Sequence, residues 1–271
     1  MVAAKDKAPP GPEQQSAPPV AGNVRLARYL ASCGVGSRRK CEKLIEDGRV
    51  CVDNHPVQHP AVNVNTEVSE VSLDGKIVQP QTAQYFALNK PRGYTCSLKD
   101  DHAEHLISSL FPDKGSRLFP VGRLDRDSEG LLICTNDGRL ANLLAHPRYE
   151  VIKQYQVETA TPISEKALSR LRRGVRDKGE FLQPVRVTYE SFGKRRILTV
   201  ELNEGRKNEI RRLCRCNGIR VNRLIRTAFG PLTLSRLPAG ENRELSPEEV
   251  ELLYSCARKK NHESPINRGC E

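Results

Sequence analysis

Tryptophan is absent, methionine occurs once and aromatic residues make up only 5% of the chain. A core must therefore be assembled from aliphatic side chains rather than from large rings. Long apolar runs are also missing, which excludes a membrane-spanning helix. The N-terminus, Met1-Val-Ala-Ala-Lys-Asp, leads into Pro and Gln instead of an apolar segment, so a secretory signal is not expected. The first arginine is Arg25, which argues against an Arg-rich transit peptide; a cytoplasmic location is the expectation. Cysteine is present nine times, an odd number, without a C-x-x-C pair or paired histidines at ligand spacing. No structural metal is expected, and the thiols read as small apolar residues in a reducing compartment. His102 and His105 lie in a polar D-D-H-A-E-H stretch and read as solvated loop histidines.

What is abundant is positive charge. Lys and Arg total 44 against 33 acids, a net +11 over 271 residues, and this balance points to an anionic partner. The length fits two domains. Residues 1–22 form a Pro/Ala/Gln-rich, charge-neutral stretch expected to be disordered, and residues 258–271 a polar, flexible tail.

A first folded segment is expected over 23–78. Leu26, Ala27 and Leu30 form a helical stripe stopped by Gly34. Ser37 caps a second helix with Leu44 and Ile45 inward and Gly48 at its end. Arg49-V-C-V reads as a strand, followed by a turn at Asp53-Asn54 and further β-like sequence to Val78. The helices carry Arg25, Arg28, Arg38, Arg39, Lys40 and Lys43. From charge alone, a solvated face and an RNA surface are both open. A DNA-reading helix-turn-helix is the less natural fit, because a strand follows the second helix.

The second segment, 84–257, mixes strands and helices without regular βαβ alternation, which argues for an α+β domain with a mainly antiparallel sheet. Strands are expected at Tyr85–Asn89, Leu131–Thr135, Lys153–Glu158 and Ile197–Leu202. Helices are expected at Leu140–Ala145, after Ser164, over Asn208–Cys216 and after Ser246, where S-P-E-E reads as a capping box. Between them, Gly122-R-L-D-R-D-S-E-G-L-L feeds an Arg- and Asp-rich loop directly into an apolar strand. That arrangement sets carboxylates at a rigid edge beside Arg123 and Arg126. Turn-forming aspartates would give a similar pattern. Asn203–Arg226 holds eight basic residues against two acids, including Arg206, Lys207, Arg212, Arg215, Arg223 and Arg226. With Ile210, Leu213 and Cys214 inward, Arg212 and Arg215 are expected to face out toward an RNA backbone.

Two strings carry a family resemblance. R-L-A-R-Y-L-A-S-C-G-V-G-S-R-R-K-C-E-K-L-I-E-D-G-R-V-C-V-D-N resembles the S-four-type RNA-binding module. G-R-L-D-R-D-S-E-G-L-L resembles the signature of RNA pseudouridine synthases, in particular the RsuA/RluB-type branch that carries such a module at its N-terminus. N-K-P-R-G from Asn89, K-Q-Y-Q-V from Lys153, E-G-R-K-N-E-I-R-R-L from Glu204 and V-N-R-L-I-R from Val221 agree in order, so the resemblance covers about Val24 to Leu253.

The resemblance implies isomerisation of uridine to pseudouridine in ribosomal RNA, with the large subunit favoured. A catalytically silent RNA-binding or ribosome-assembly protein on the same scaffold is the alternative. It implies Asp125 as the catalytic aspartate, Tyr155 against the target base and Arg211 ion-paired with Asp125. Asn208-Glu209 stands where the family more often has His-Gln. Lys90, Arg92 and Arg123 join the arginines and lysines named above as expected RNA contacts. No cofactor or metal is implied, and the expected partner is ribosomal RNA or a pre-ribosomal particle, bound by a monomer.

Overall fold

The computed structural model describes residues 22–97, 100, 103–111, 117–193 and 195–258. The two expected tails, apart from Gly22 and Arg258, together with His102 and Cys270, lie outside the described residues. The chain divides into two compact units between Ala83 and Gln84.

The first unit contains β1 (Asn23–Arg25), α1 (Leu26–Ser32), α2 (Arg38–Glu46), β2 (Val50–Val52), β3 (His55–Val57), β4 (Asn63–Asn65), β5 (Val71–Leu73) and β6 (Lys76–Ile77). Ser37 caps α2 by accepting the Lys40 amide, as its hydroxyl and position dictate. The β2–β3 hairpin closes through Asp53 and Asn54, both at positive φ, the conformation a two-residue hairpin loop requires. Leu26, Leu30, Cys41, Ile45 and Val50 are fully buried and fasten both helices to a four-stranded sheet ordered β3-β2-β5-β6.

The second unit contains β7 (Tyr85–Lys90), β8 (Phe119–Pro120), β9 (Glu129–Thr135), α3 (Gly138–Ala145), β10 (Lys153–Thr159) and α4 (Glu165–Arg173). There follow β11 (Val175–Asp177), β12 (Glu180–Leu182), β13 (Arg186–Phe192), β14 (Arg195–Leu202) and α5 (Glu209–Cys216). The unit ends with β15 (Val221–Phe229), β16 (Leu232–Thr233), β17 (Asn242–Glu244) and α6 (Pro247–Arg258). Its main sheet runs β13-β14-β10-β15-β9-β7-β17, with β8 and β16 attached, and every pairing is antiparallel except β15 with β9. This is the α+β architecture the sequence implied.

The capping residues behave as expected. Ser164 accepts the Ala167 amide, and Ser246 and Glu249 complete a reciprocal box. Asp137, expected only as part of a turn, caps α3 and also accepts the Tyr85 hydroxyl at 3.0 Å. The strands of this unit not anticipated are β13, β15, the β11–β12 hairpin and the short β8, β16 and β17. Charged side chains interrupt the alternation of β15, although it lies between β10 and β9 in the middle of the sheet.

Cross-strand register fixes what meets at one edge of this sheet. Tyr155 on β10 pairs with Arg226 on β15, and Arg226 pairs with Gly130 on β9. Lys90, the last residue of β7, also pairs with Gly130. The loop holding Asp125 therefore enters the sheet beside the end of β7 and the middle of β15. Gly130 has φ +103, and a Cβ there would stand 2.3 Å from the Arg226 carbonyl oxygen, so only glycine permits this backbone approach.

Candidate active site

Asp125 lies in the turn between β8 and β9. Backbone carbonyls throughout that turn are engaged. The Ser128 amide donates to the Asp125 carbonyl at 3.0 Å, and the Gly93 amide donates to the Arg126 carbonyl at 2.8 Å. The ammonium of Lys90 donates to Pro91, Arg126 and Ser128 carbonyls at 3.0, 3.3 and 2.7 Å. Arg211 Nη2, from α5, donates to the Asp127 carbonyl at 2.8 Å. The Leu124 amide rests on Cys96 Sγ. Two segments distant in sequence, 90–96 and α5 through Arg211, thus hold one short turn while the Asp125 side chain stays half-buried at its edge. Such over-determined backbone is what fixes a reacting group in place.

Lys90 explains the first part of this arrangement. It is 0% exposed, and burial pushes its ammonium below the ordinary lysine range. Its three backbone acceptors match its three N–H donors, which is how a lone buried cation is tolerated. The expectation that Lys90 touches RNA is therefore corrected: it is an internal fastener of the turn.

Arg226 is corrected in the same way. Its side chain is interior, 2% exposed, with Nε on the Leu131 carbonyl at 2.6 Å, Nη2 without an acceptor, and the guanidinium 5.0 Å from the Phe229 ring centroid. A strand position of buried parity placed it inward, beside Tyr155. Tyr155 itself is 8% exposed and packs in the main core.

Lys153, which the sequence did not single out, shares the buried face of β10 with Tyr155. Its ammonium donates to the Val151 carbonyl at 3.0 Å and lies over the Phe229 ring, 5.3 Å from the centroid. Burial first, and Arg226 second, push its pKa down to about 8. The period-2 spacing Lys153, Tyr155, Val157 was the signal that would have found it.

The expected Arg211–Asp125 ion pair is not formed: Arg211 holds the turn through the Asp127 carbonyl, and its Nε is buried without an acceptor. Asp127 pairs loosely with Arg92 at 3.7 Å, both exposed. The basic run after Asn203 is also less free than its charge implied. Arg212 binds Asp177 and Glu180, each at 2.5 Å, and Arg215 reaches Asp177 at 3.2 Å. Arg206 pairs with Glu204 at 3.0 Å, and Arg223 with Glu129 at 2.7 Å. The expectation that Arg212 and Arg215 stand free to meet phosphate is thus corrected. Lys207 and Arg123 remain exposed. Cys214 is fully buried with its thiol pushed up to about 12, a core residue as expected. In the first unit Arg25 donates to the Ala61 carbonyl, Arg28 is half-buried, and Arg38, Arg39, Lys40 and Lys43 are exposed.

Residues 84–215 match the family model for RNA pseudouridylate synthase, and residues 24–68 match the S4 domain. The chain is 41% identical over 233 residues to an uncharacterized RNA pseudouridine synthase of Aquifex aeolicus (strain VF5), covering 85% of this chain and 94% of that protein. It is 36% identical over 236 residues to ribosomal large subunit pseudouridine synthase B of Bacillus subtilis (strain 168), covering 86% of this chain and 96% of that one. A crystal structure of a pseudouridylate synthase superposes with a TM-score of 0.60 at 27% identity, covering 85% of this chain and 99% of the other. Matched over more than four-fifths of its length by these relatives, the chain belongs to the family of RNA pseudouridine synthases that carry an N-terminal S4 domain.

Proposed function

We propose that this enzyme converts a uridine of ribosomal RNA, in the large subunit, to pseudouridine, acting on the RNA or on a pre-ribosomal particle, with Asp125 as its catalytic carboxylate. The observation that carries the assignment is the turn itself: its backbone is held by Lys90, Gly93 and Arg211, while the Asp125 carboxylate forms no ion pair among the described residues. A carboxylate left unengaged on a rigid turn is available to a substrate.

Isomerisation breaks the N1–C1′ bond, turns the uracil and joins C5 to C1′; the C5 proton leaves and N1 gains one. Asp125 either attacks C1′ or removes a ribose proton to open a glycal route, and both require the ionised carboxylate. The target base must leave its stack to be reached. Tyr155, beside Arg226 on the adjoining strand, is the aromatic surface against which it would rest. Arg211 has a buried Nε without an acceptor and turns to the Asp125 carboxylate once RNA enters, since catalytic hydrogen bonds commonly tighten on substrate binding.

The test compares Asp125→Asn with Asp127→Asn on large-subunit rRNA and on assembly intermediates, with pseudouridine mapped chemically. Asp127→Asn keeps the backbone carbonyl used by Arg211 and loses only an exposed, loose ion pair. It is expected to retain most activity, whereas Asp125→Asn forms no product yet binds RNA as the wild type does. A wild type inert on every rRNA substrate would favour the silent RNA-binding protein, and an active Asp125→Asn would move catalysis to another residue.

A further inference from the structure

Arg223 makes three hydrogen bonds to the Glu129 carboxylate, two at 3.1 Å from Nε and one at 2.7 Å from Nη2, and its Nη1 stands 3.7 Å from Glu158. These three residues belong to three adjacent strands: Glu129 opens β9 immediately after the catalytic turn, Arg223 lies on β15, and Glu158 lies on β10 three residues beyond Tyr155. The register divides the faces. Tyr155 and Arg226 pair across one face, while Glu158 pairs with Arg223 across the other, and Glu129 pairs with Ile225 on that same second face. Arg223 therefore projects away from the face that carries Tyr155. The parallel β9–β15 pairing it reinforces has only two register pairs, Ile225 with Glu129 and Arg226 with Gly130. The Glu129 side chain is 14% exposed, so its carboxylate is committed to Arg223 rather than to solvent.

We propose that Glu129, Arg223 and Glu158 form a transverse clamp that sets the turn bearing Asp125 at its working distance from the strand bearing Tyr155, with Arg223 a positioning residue instead of a phosphate contact. The inference rests on the reading of Asp125 as the catalytic carboxylate. Without the clamp, the start of β9 is held to β15 by a very short run of backbone pairs, and the turn loses its lateral reference. Arg is the residue suited to this task, because its planar fork engages one carboxylate with two nitrogens while a third reaches another. Lysine keeps the charge and loses the fork.

The experiment uses the full chain and the variants Glu129→Gln, Arg223→Gln, Arg223→Lys and the Glu129→Gln/Arg223→Gln double. It reads kcat and KM for pseudouridine formation together with hydrogen–deuterium exchange over 121–131, with the α2 segment as internal reference. Each single variant is expected to lower kcat about tenfold with KM within about twofold, and to speed exchange in 121–131 alone. Arg223→Lys should behave like Arg223→Gln, and the double variant should be no worse than either single, as a shared interaction requires. The proposal is overturned if Arg223→Gln raises KM with kcat intact, if Glu129→Gln lowers KM by freeing a cation for RNA, or if the two losses simply add. Should the wild type form no pseudouridine on any rRNA, the functional reading falls while the clamp still stands or fails on the exchange data: unchanged exchange in Glu129→Gln overturns it.

Discussion

Two short helices, α2 in the first unit and α5 in the second, look alike as sequence: each is dense in Lys and Arg, and each has an apolar stripe turned inward. Their charges have opposite fates. On α2, Arg38, Arg39, Lys40 and Lys43 are exposed and form no ion pair among the described residues. On α5, Arg212 and Arg215 are drawn onto Asp177 of the β11–β12 hairpin, which Arg212 also grips through Glu180 and the Asp177 carbonyl. The acids that neutralise α5 lie some 35 residues away in the chain and arrive only through the fold. A cation count along the sequence measures potential for binding phosphate; the tertiary position of the acids decides how much of it remains. Helix α2 leaves its charge exposed, while α5 uses its charge to hold a hairpin and to carry Arg211 to the turn bearing Asp125.

The sharpest way to break this contrast is to neutralise α2. Replacing Arg38, Arg39, Lys40 and Lys43 with Gln should flatten the dependence of log affinity on log salt by about 3, taking about 0.7 per phosphate lost on single-stranded RNA. Melting temperature should stay near the wild type, because none of these side chains is paired in the fold. An unchanged salt slope in filter-binding titrations would mean that this helix is merely solvated.

The converse holds for Arg212→Gln. RNA affinity should remain within about twofold of wild type, while Tm falls, since Asp177 and Glu180 lose their shared partner. The hydrogen bond from Arg212 holds the Asp177 carboxyl below the usual carboxylate range. Its stabilising contribution is thus present above about pH 3.9 and is lost as pH falls through the lower folded value. Calorimetric scans of both proteins should show the Tm gap in full at pH 7 and closing in strong acid; a constant gap would remove the ion pair as its cause.

A third class of cation sharpens the comparison further and has the smallest effect. Lys153 is neither exposed nor paired with a carboxylate, and its pKa is pushed down to about 8 by burial. The unfolded chain holds that proton up to about pH 10.4, so between the two values the unfolded state binds more protons and stability rises with pH. Lys153→Met removes the linkage. Relative to this variant the wild type should gain at most about 1.4 kcal/mol per pH unit across that window. Urea midpoints of the pair at pH 7.5 and 9.5 check it, and a pH-independent difference would show that Lys153 stays charged inside the protein.

Much of this was legible before any coordinates. The Ser37, Ser164 and Ser246 caps, the Asp53-Asn54 turn and the apolar stripes of α1, α2 and α5 are local signals, and each formed where local chemistry required. The turn that bears Asp125 was legible because an Arg- and Asp-rich string runs straight into an apolar strand. Less legible was anything decided by pairing at a distance. Strand β15 escaped notice because Arg223 and Arg226 sit on opposite faces for different reasons, one clamping two carboxylates and one buried beside Tyr155. Lys90 and Arg226 were taken for surface charges because nothing within their own strings reveals that carbonyls of a remote turn, or of β9, will receive them.

Lys90 also ties the order of assembly to the onset of function. Its acceptors at Arg126 and Ser128 lie 36 and 38 residues further along, so the turn lacks this fastener until β7 and β9 have paired and the intervening loop is closed. An ammonium sealed among backbone oxygens has no partial state: outside the closed sheet it is hydrated, and inside it is fully bound. The Lys90 hold on the turn bearing Asp125 consequently cannot form ahead of the β7–β9 pairing.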